Sequence, residues 1–253
     1  METIDQNGIR PLNDMQLRVM QRDNIQRLRI QHSNRIEAVK RGDAWADGQT
    51  MNLLEQYHGQ FQDMEKQLDR DIAGAIKDLP DDHILRYMLK IKGVGPSLAA
   101  QFWAKVDIQR AADVSSLWKY AGFGVTDGKR DRPVKGQKLP YNRKLKVVVF
   151  KIGDSMLRTR GTRTDKDPLL YADLYYEKRE EYDAREWGEN KLHRHLAAKG
   201  YMQKIWMQHL WISWRTLEGL PVNMPWVLRQ NNAHTHYIAP EAYGWPAVAN
   251  EVK

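Results

Sequence analysis

Apolar residues recur at helical rather than strand spacing along most of the chain, and this pattern predicts an all-α protein. Residues 13–40 are rich in Gln, Arg, Leu, Met and Ile and contain neither Gly nor Pro. That predicts a first long helix, with Asn13 or Asp14 as its cap. Residues 41–48 break the pattern and read as a loop. A second long helix is predicted over residues 50–77, where Leu54, Tyr57, Phe61, Met64 and Leu68 alternate spacings of three and four, the signature of a heptad seam. Two long helices joined by a short loop form either an antiparallel hairpin or a dimerising coiled coil. The seam favours the second, a homodimer through the N-terminal helices.

Beyond Pro80 the predicted elements are shorter. A helix carries Ile84, Leu85, Met88, Leu89 and Ile91, followed by Gly93-Val94-Gly95 and a second helix, capped by Ser97, running to about Val106. A short helix covers residues 115–120. The stretch 129–146 reads as a loop or small β-hairpin, with Asn142 capping a helix to about Leu157. Pro168 suits the first position of a helix ending near Glu186. The last long helix, 196–217, would place Ile205, Trp206, His209, Leu210 and Trp214 on one side. The expected organisation is therefore a flexible arm (1–12), a helical stalk (13–79), a helix-hairpin-helix domain (80–218) and an extended proline-rich tail (219–253) wrapped over the body.

Charge divides the chain in a similar place. Residues 1–80 hold 11 Lys/Arg against 13 Asp/Glu, whereas residues 81–253 hold 29 against 19. A near-neutral front and a basic remainder suggest assembly in one part and an anionic partner for the other. The sharpest local signal is Ile91-Lys92-Gly93-Val94-Gly95-Pro96-Ser97. Two glycines one residue apart allow a tight turn between helices and a close approach to a ligand. Backbone amides at the start of the second helix are ready donors to a phosphate oxygen, with Lys90 and Lys92 adding positive charge. Such contacts give affinity without sequence information. Downstream, Lys129, Arg130, Arg132, Lys135, Lys138, Arg143, Lys144 and Lys146 stand against a single acid, Asp131, over 18 positions. That density can neutralise several phosphates, and Tyr141 offers a ring for base stacking.

At these residues the chain resembles a known family. Gln67 to Leu79, then Ile91-Lys92-Gly93-Val94-Gly95-Pro96, then Leu117-Trp118-Lys119-Tyr120-Ala121-Gly122-Phe123 is similar to the C-terminal half of the DEDD insertion-sequence transposases. Those proteins place a coiled coil before an "IPGVGP" hairpin, a "YAGL" segment and a basic "KG…LR" stretch, which Lys135-Gly136 through Arg158 resembles. The family also carries a RuvC-like nuclease domain with four metal-binding acids and a serine nucleophile after the "YAGL" segment. Here fewer than 50 residues precede the stalk, and Gly124-Val125-Thr126-Asp127-Gly128 contains no serine. Ser115 and Ser116 come too early, Ser155 too late, and Thr126 has no evident base. The resemblance therefore implies the DNA- or RNA-binding half of a transposase without its chemistry. Strand transfer would need a nuclease domain on another chain.

Other chemistry is less well marked. Asp107 or Asp113 stands roughly where helix-hairpin-helix glycosylases keep a catalytic aspartate, but the flanking residues do not resemble that family. His193, His195, His209, His234 and His236 could offer nitrogens to a metal. No third ligand is marked by spacing, and His-x-His on a helix splays the rings apart. Tyr171, Tyr175, Tyr176 and Tyr182 read as packing or partner residues. The chain has no cysteine, which excludes disulfides and thiolate metal sites. No run of about 18 apolar residues suggests a membrane span, and the first residues do not resemble a secretory signal. The expectation is a cytoplasmic, nucleoid-associated protein that binds DNA or structured RNA, with no cofactor, no metal and no membrane. The competing expectation is a structural protein of a phage or mobile-element assembly.

Overall fold

Side-chain caps set where the two N-terminal helices begin. The Asn13 carboxamide oxygen accepts from the Gln16 amide (2.8 Å) while the Gln16 side chain accepts from the Asn13 amide, a reciprocal capping box. α1 (Asp14–Arg41) ends at Gly42, which takes the left-handed conformation that L-residues resist. Asp47 accepts from the Thr50 amide (2.7 Å) to start α2 (Gly48–Lys77). The computed structural model describes residues 13–126, 128–164, 167–186, 190–223 and 238–246. Over these the protein is all-α, with eight helices and a single two-stranded ladder. It comprises two compact units, Met1–Leu79 and Pro80–Lys253. The expected arm, residues 1–12, lies outside the described residues.

In the first unit α1 and α2 run antiparallel, and their contact is unusually polar. Arg22 pairs with Glu65 (2.7 Å) and Asp69 (3.0 Å). Arg29 also reaches Glu65 (2.5 Å), and Gln26 donates to it (2.9 Å). Arg22 and Glu65 are both buried, alongside Met15, Val19, Ile36, Ile72 and Ile76. This pairing corrects the heptad expectation. Leu54, Phe61 and Leu68 are half-buried, and Phe61 packs on His32 of α1 (ring centroids 5.1 Å apart). Tyr57 and Met64, alternate members of the same seam, remain largely exposed. The seam is divided between a face that meets α1 and a face turned outward.

The second unit is built around α8 (Lys191–Leu217). Every residue from Trp206 to Arg215 is buried, so this stretch is surrounded on all sides rather than on the one expected. Its N-cap is Asn190, earlier than the sequence suggested. Phe102 meets Trp206 edge-on (5.1 Å), Trp211 donates to the Ala111 carbonyl (2.7 Å), and Arg215 donates to the carbonyls of Ile108, Ala111 and Pro221. Around it lie α3 (Ile84–Lys90), α4 (Pro96–Trp103), α5 (Val114–Tyr120), β1 (Val125–Thr126), β2 (Lys129–Arg130), α6 (Arg143–Leu157) and α7 (Tyr171–Ala184).

Several predicted boundaries move. Gly95, not Ser97, caps α4, and the Ser97 hydroxyl instead accepts from Gln101 (3.0 Å). α7 starts after Leu170, not at Pro168. Part of the tail packs against α7 and α8 rather than running extended. Residues 240–243 form a 3₁₀ turn, with Tyr243 and Trp245 buried. There the Trp245 indole donates to the Tyr171 hydroxyl (2.8 Å), which lies 2.7 Å from His209 Nδ1, while His209 Nε2 meets the Ile238 carbonyl (2.9 Å). A carbonyl only accepts, so Nε2 carries the proton and Nδ1 accepts from Tyr171.

Candidate nucleic-acid interface

The hairpin between α3 and α4 assigns different jobs to its two glycines. Gly93 has φ +92°, and a Cβ there would stand 2.7 Å from Met156 Cα and 2.9 Å from its nitrogen. It is glycine because the hairpin packs directly on the α6 backbone. Gly95 has φ −85° and open space around it. Val94 is buried, its amide donating to the Ile91 carbonyl (3.0 Å). The amides of Gly95, Ser97 and Leu98 have no acceptor among the described residues, and α4 has no side-chain cap. These orphan donors are the feature that suits a phosphate.

The two hairpin lysines also differ. Lys90 is exposed, its ammonium 4.4 Å from the centre of the Tyr87 ring. Lys92 is already neutralised, donating to the Thr162 carbonyl (2.9 Å) and to Asp167 (3.0 Å). The Asp167 carboxylate also accepts from the Thr164 amide and hydroxyl; these bonds, with Lys92, hold its pKa down to about 2. The expectation that Lys92 adds a free charge at the hairpin is therefore corrected: it ties the hairpin to the loop after α6.

The basic segment begins at the β1–β2 ladder, in which Val125 pairs with Arg130 and Thr126 with Lys129. Asp131, its one acid, accepts from the Thr126 hydroxyl (2.9 Å). Thr126 thus has a carboxylate in reach that spacing did not reveal, in a bond that links the ladder to the residue following it. Arg130 folds inward, donating to the Gly122 carbonyl (3.3 Å) over the Phe123 ring (4.6 Å). Lys146 lies over Tyr141 (4.3 Å), and both pack on Gly122, where φ is +81° and a Cβ would stand 2.8 Å from Lys146 Cδ. One face of Tyr141 is therefore occupied by Lys146. Lys129, Arg132, Lys135, Lys138, Arg143 and Lys144 are exposed, and none has a carboxylate within 4.0 Å among the described residues. The contrast with the cations on and around α7 is informative. There Arg179 and Arg194 share Asp183, and Lys178 and Arg185 share Glu181.

Asn142 links the "YAG" segment to this surface. Its amide and carboxamide donate to the Tyr120 carbonyl and hydroxyl (both 2.8 Å), while its carboxamide oxygen caps α6 (3.0 Å). α6 buries Leu145, Val148, Val149, Ile152 and Met156 and turns Val147 and Phe150 outward. These two, with Pro133, Leu139, Tyr141, Arg143 and Lys146, line a groove of about 480 Å³. Lys199 of α8, itself 1% exposed, sits beneath the inner face of Phe150 (3.3 Å to the ring centre) and pairs with Asp154. Sequence reasoning missed this groove. The available signal was the run Val147-Val148-Val149-Phe150, since four consecutive apolar residues cannot all fit the buried arc of one helix.

The remaining candidates find structural roles. Ser115 and Ser116 lie in the first turn of α5. Tyr175 donates to or accepts from His195 (2.6 Å). Tyr171 and Tyr175 are buried, and Tyr176 and Tyr182 half-buried. His234 and His236 lie outside the described residues, among which no three His, Asp or Glu side chains group as metal ligands. No described helix is long and apolar enough to cross a membrane. The chain matches no protein-family model and no curated protein.

Proposed function

We propose that this is a non-catalytic nucleic-acid-binding protein that holds DNA or structured RNA through its second unit. The observation that carries the reading is the row of six exposed cations, Lys129 to Lys144, without acidic partners among the described residues, when cations on and around α7 are neutralised by neighbouring carboxylates. Charges left uncompensated along one segment favour an anionic polymer, whose binding releases condensed counterions. The orphan amides of Gly95, Ser97 and Leu98 add donors for a single phosphate. Likeness to the transposases supports a role in a mobile element or phage, in the cytoplasm and associated with the nucleoid; the heptad spacing of α2, with Tyr57 and Met64 left exposed, supports a homodimer.

The test is fluorescence anisotropy with linear duplex, four-way junction, single-stranded DNA and folded RNA across a salt titration. Replacing Lys135, Lys138 and Arg143 by Glu should weaken binding to all sequences alike and flatten the salt dependence by about one unit of slope per lost phosphate contact. Unchanged affinity in the triple variant rejects the basic-loop assignment.

A second reading, an assembly protein, is favoured by the apolar surface of α2. Leu53, Tyr57 and Met64 fall on one helical stripe and are each more than two-fifths exposed, and Trp45 in the preceding loop is 86% exposed. Large assemblies by light scattering without nucleic acid, at both low and high salt, would favour it.

A further inference from the structure

We propose that the groove between α6 and the basic segment seats one unstacked base of a single strand, so that the natural ligand contains an unpaired or flipped nucleotide. This rests on the nucleic-acid reading above and narrows it to a substrate class. Three observations meet at the groove.

The first is an aromatic platform. Phe150 is 48% exposed, and its inner face is closed by the Lys199 ammonium, itself fixed by Asp154. A buried, paired cation on one face holds the ring plane in place and leaves the other face open to a flat partner. The second is shape. Val147, Leu139 and Tyr141 give the groove apolar walls, and its volume of about 480 Å³ is that of a small-ligand site. The third is charge. Arg143 and Lys146 stand in the lining itself, and Lys135, Lys138 and Lys144 are exposed nearby in the chain.

An apolar slot with Arg143 and Lys146 in its lining fits a nucleotide better than an apolar protein segment. The base finds the ring and the backbone finds the charges, which is how single-strand grooves divide their contacts. A paired base inside an intact duplex presents no free face to Phe150, so the seat adds nothing to duplex binding.

The experiment uses the full chain with two fluorescent probes, an oligothymidylate of about 15 nucleotides and a blunt duplex of the same length. Phe150→Leu keeps apolar cover over the Lys199 stem but removes the ring. It should lower affinity for the single strand about tenfold and leave duplex affinity within about twofold. Val147→Ser, on the exposed side of α6, should act in the same direction and serves if the first variant melts early. Unchanged single-strand affinity in well-folded variants overturns the base seat and leaves the nucleic-acid reading standing. Equal loss on both probes also overturns it, since the groove would then serve backbone contact. Failure of the unaltered protein to bind either probe, a four-way junction or folded RNA at low salt overturns the nucleic-acid reading itself.

Discussion

Substituting the two hairpin glycines separately should give opposite results. At Gly93 an alanine meets two costs. A left-handed φ is unfavourable for an L-residue by about 1–2 kcal/mol, and here φ is +92°. The new methyl would also lie 2.7 Å from Met156 Cα and 3.1 Å from the Ser155 carbonyl carbon. These are backbone atoms of a buried helix, so the clash requires a shift of α3–α4 against α6, at about 1–3 kcal/mol for overpacking. Together Gly93→Ala should destabilise the second unit by about 2–5 kcal/mol. At about 2–4 °C per kcal/mol for a unit of this size, the melting temperature should fall by roughly 10 °C. Gly95 has φ −85° and no atom within 4 Å of the place a methyl group would take, so Gly95→Ala should cost only the difference in cap preference, about 1 kcal/mol or less. Urea unfolding followed by tryptophan fluorescence suits both variants, because Trp206 and Trp211 are buried in this unit. Equal stability of Gly93→Ala and the unaltered protein would refute the packing argument. So would a larger loss at Gly95 than at Gly93.

Two further predictions concern buried charge. Burial pushes the His209 pKa down to about 4 from an ordinary 6.5. The unfolded chain therefore binds a proton between those values that the folded chain does not. The stability involved is complete above pH 6.5 and is lost progressively as pH falls to about 4, by about 3 kcal/mol in total; an NMR titration placing the His209 midpoint near 6.5 would refute this. Glu65→Leu would leave Arg22 buried without its nearest partner, and Arg29 without its own. Removing one member of such a buried pair costs about 3–5 kcal/mol. Circular dichroism on thermal melting should show an earlier loss of helix, and an unchanged melt would mean that Asp69 alone compensates Arg22.

Much of the local structure was legible in the residues themselves. Asn13 and Asn142 cap the helices that their side chains predict, because a cap depends on three or four consecutive residues. The all-α class and the two long first helices follow from periodicity and composition in the same local way, whereas the ladder falls at 125–130, ahead of most of the stretch 129–146 read as a loop or hairpin. The α2 seam shows the limit of that reasoning. Spacing shows which residues share a stripe but not what covers it: α1, held to α2 by the buried Arg22–Glu65 pair, covers Leu54, Phe61 and Leu68 in part and leaves Tyr57 and Met64 exposed. Lys92 and Tyr141 looked free for the same reason. Asp167, which pairs with Lys92, is 75 positions away, and Lys146, although only five positions from Tyr141, is folded over the ring by the start of α6. The groove at Phe150 depends likewise on Lys199, brought beneath the ring by α8. Helix formation is governed by neighbours along the chain. Which charges remain uncompensated, and which rings remain open, is governed by neighbours in space, and only the tertiary structure decided those.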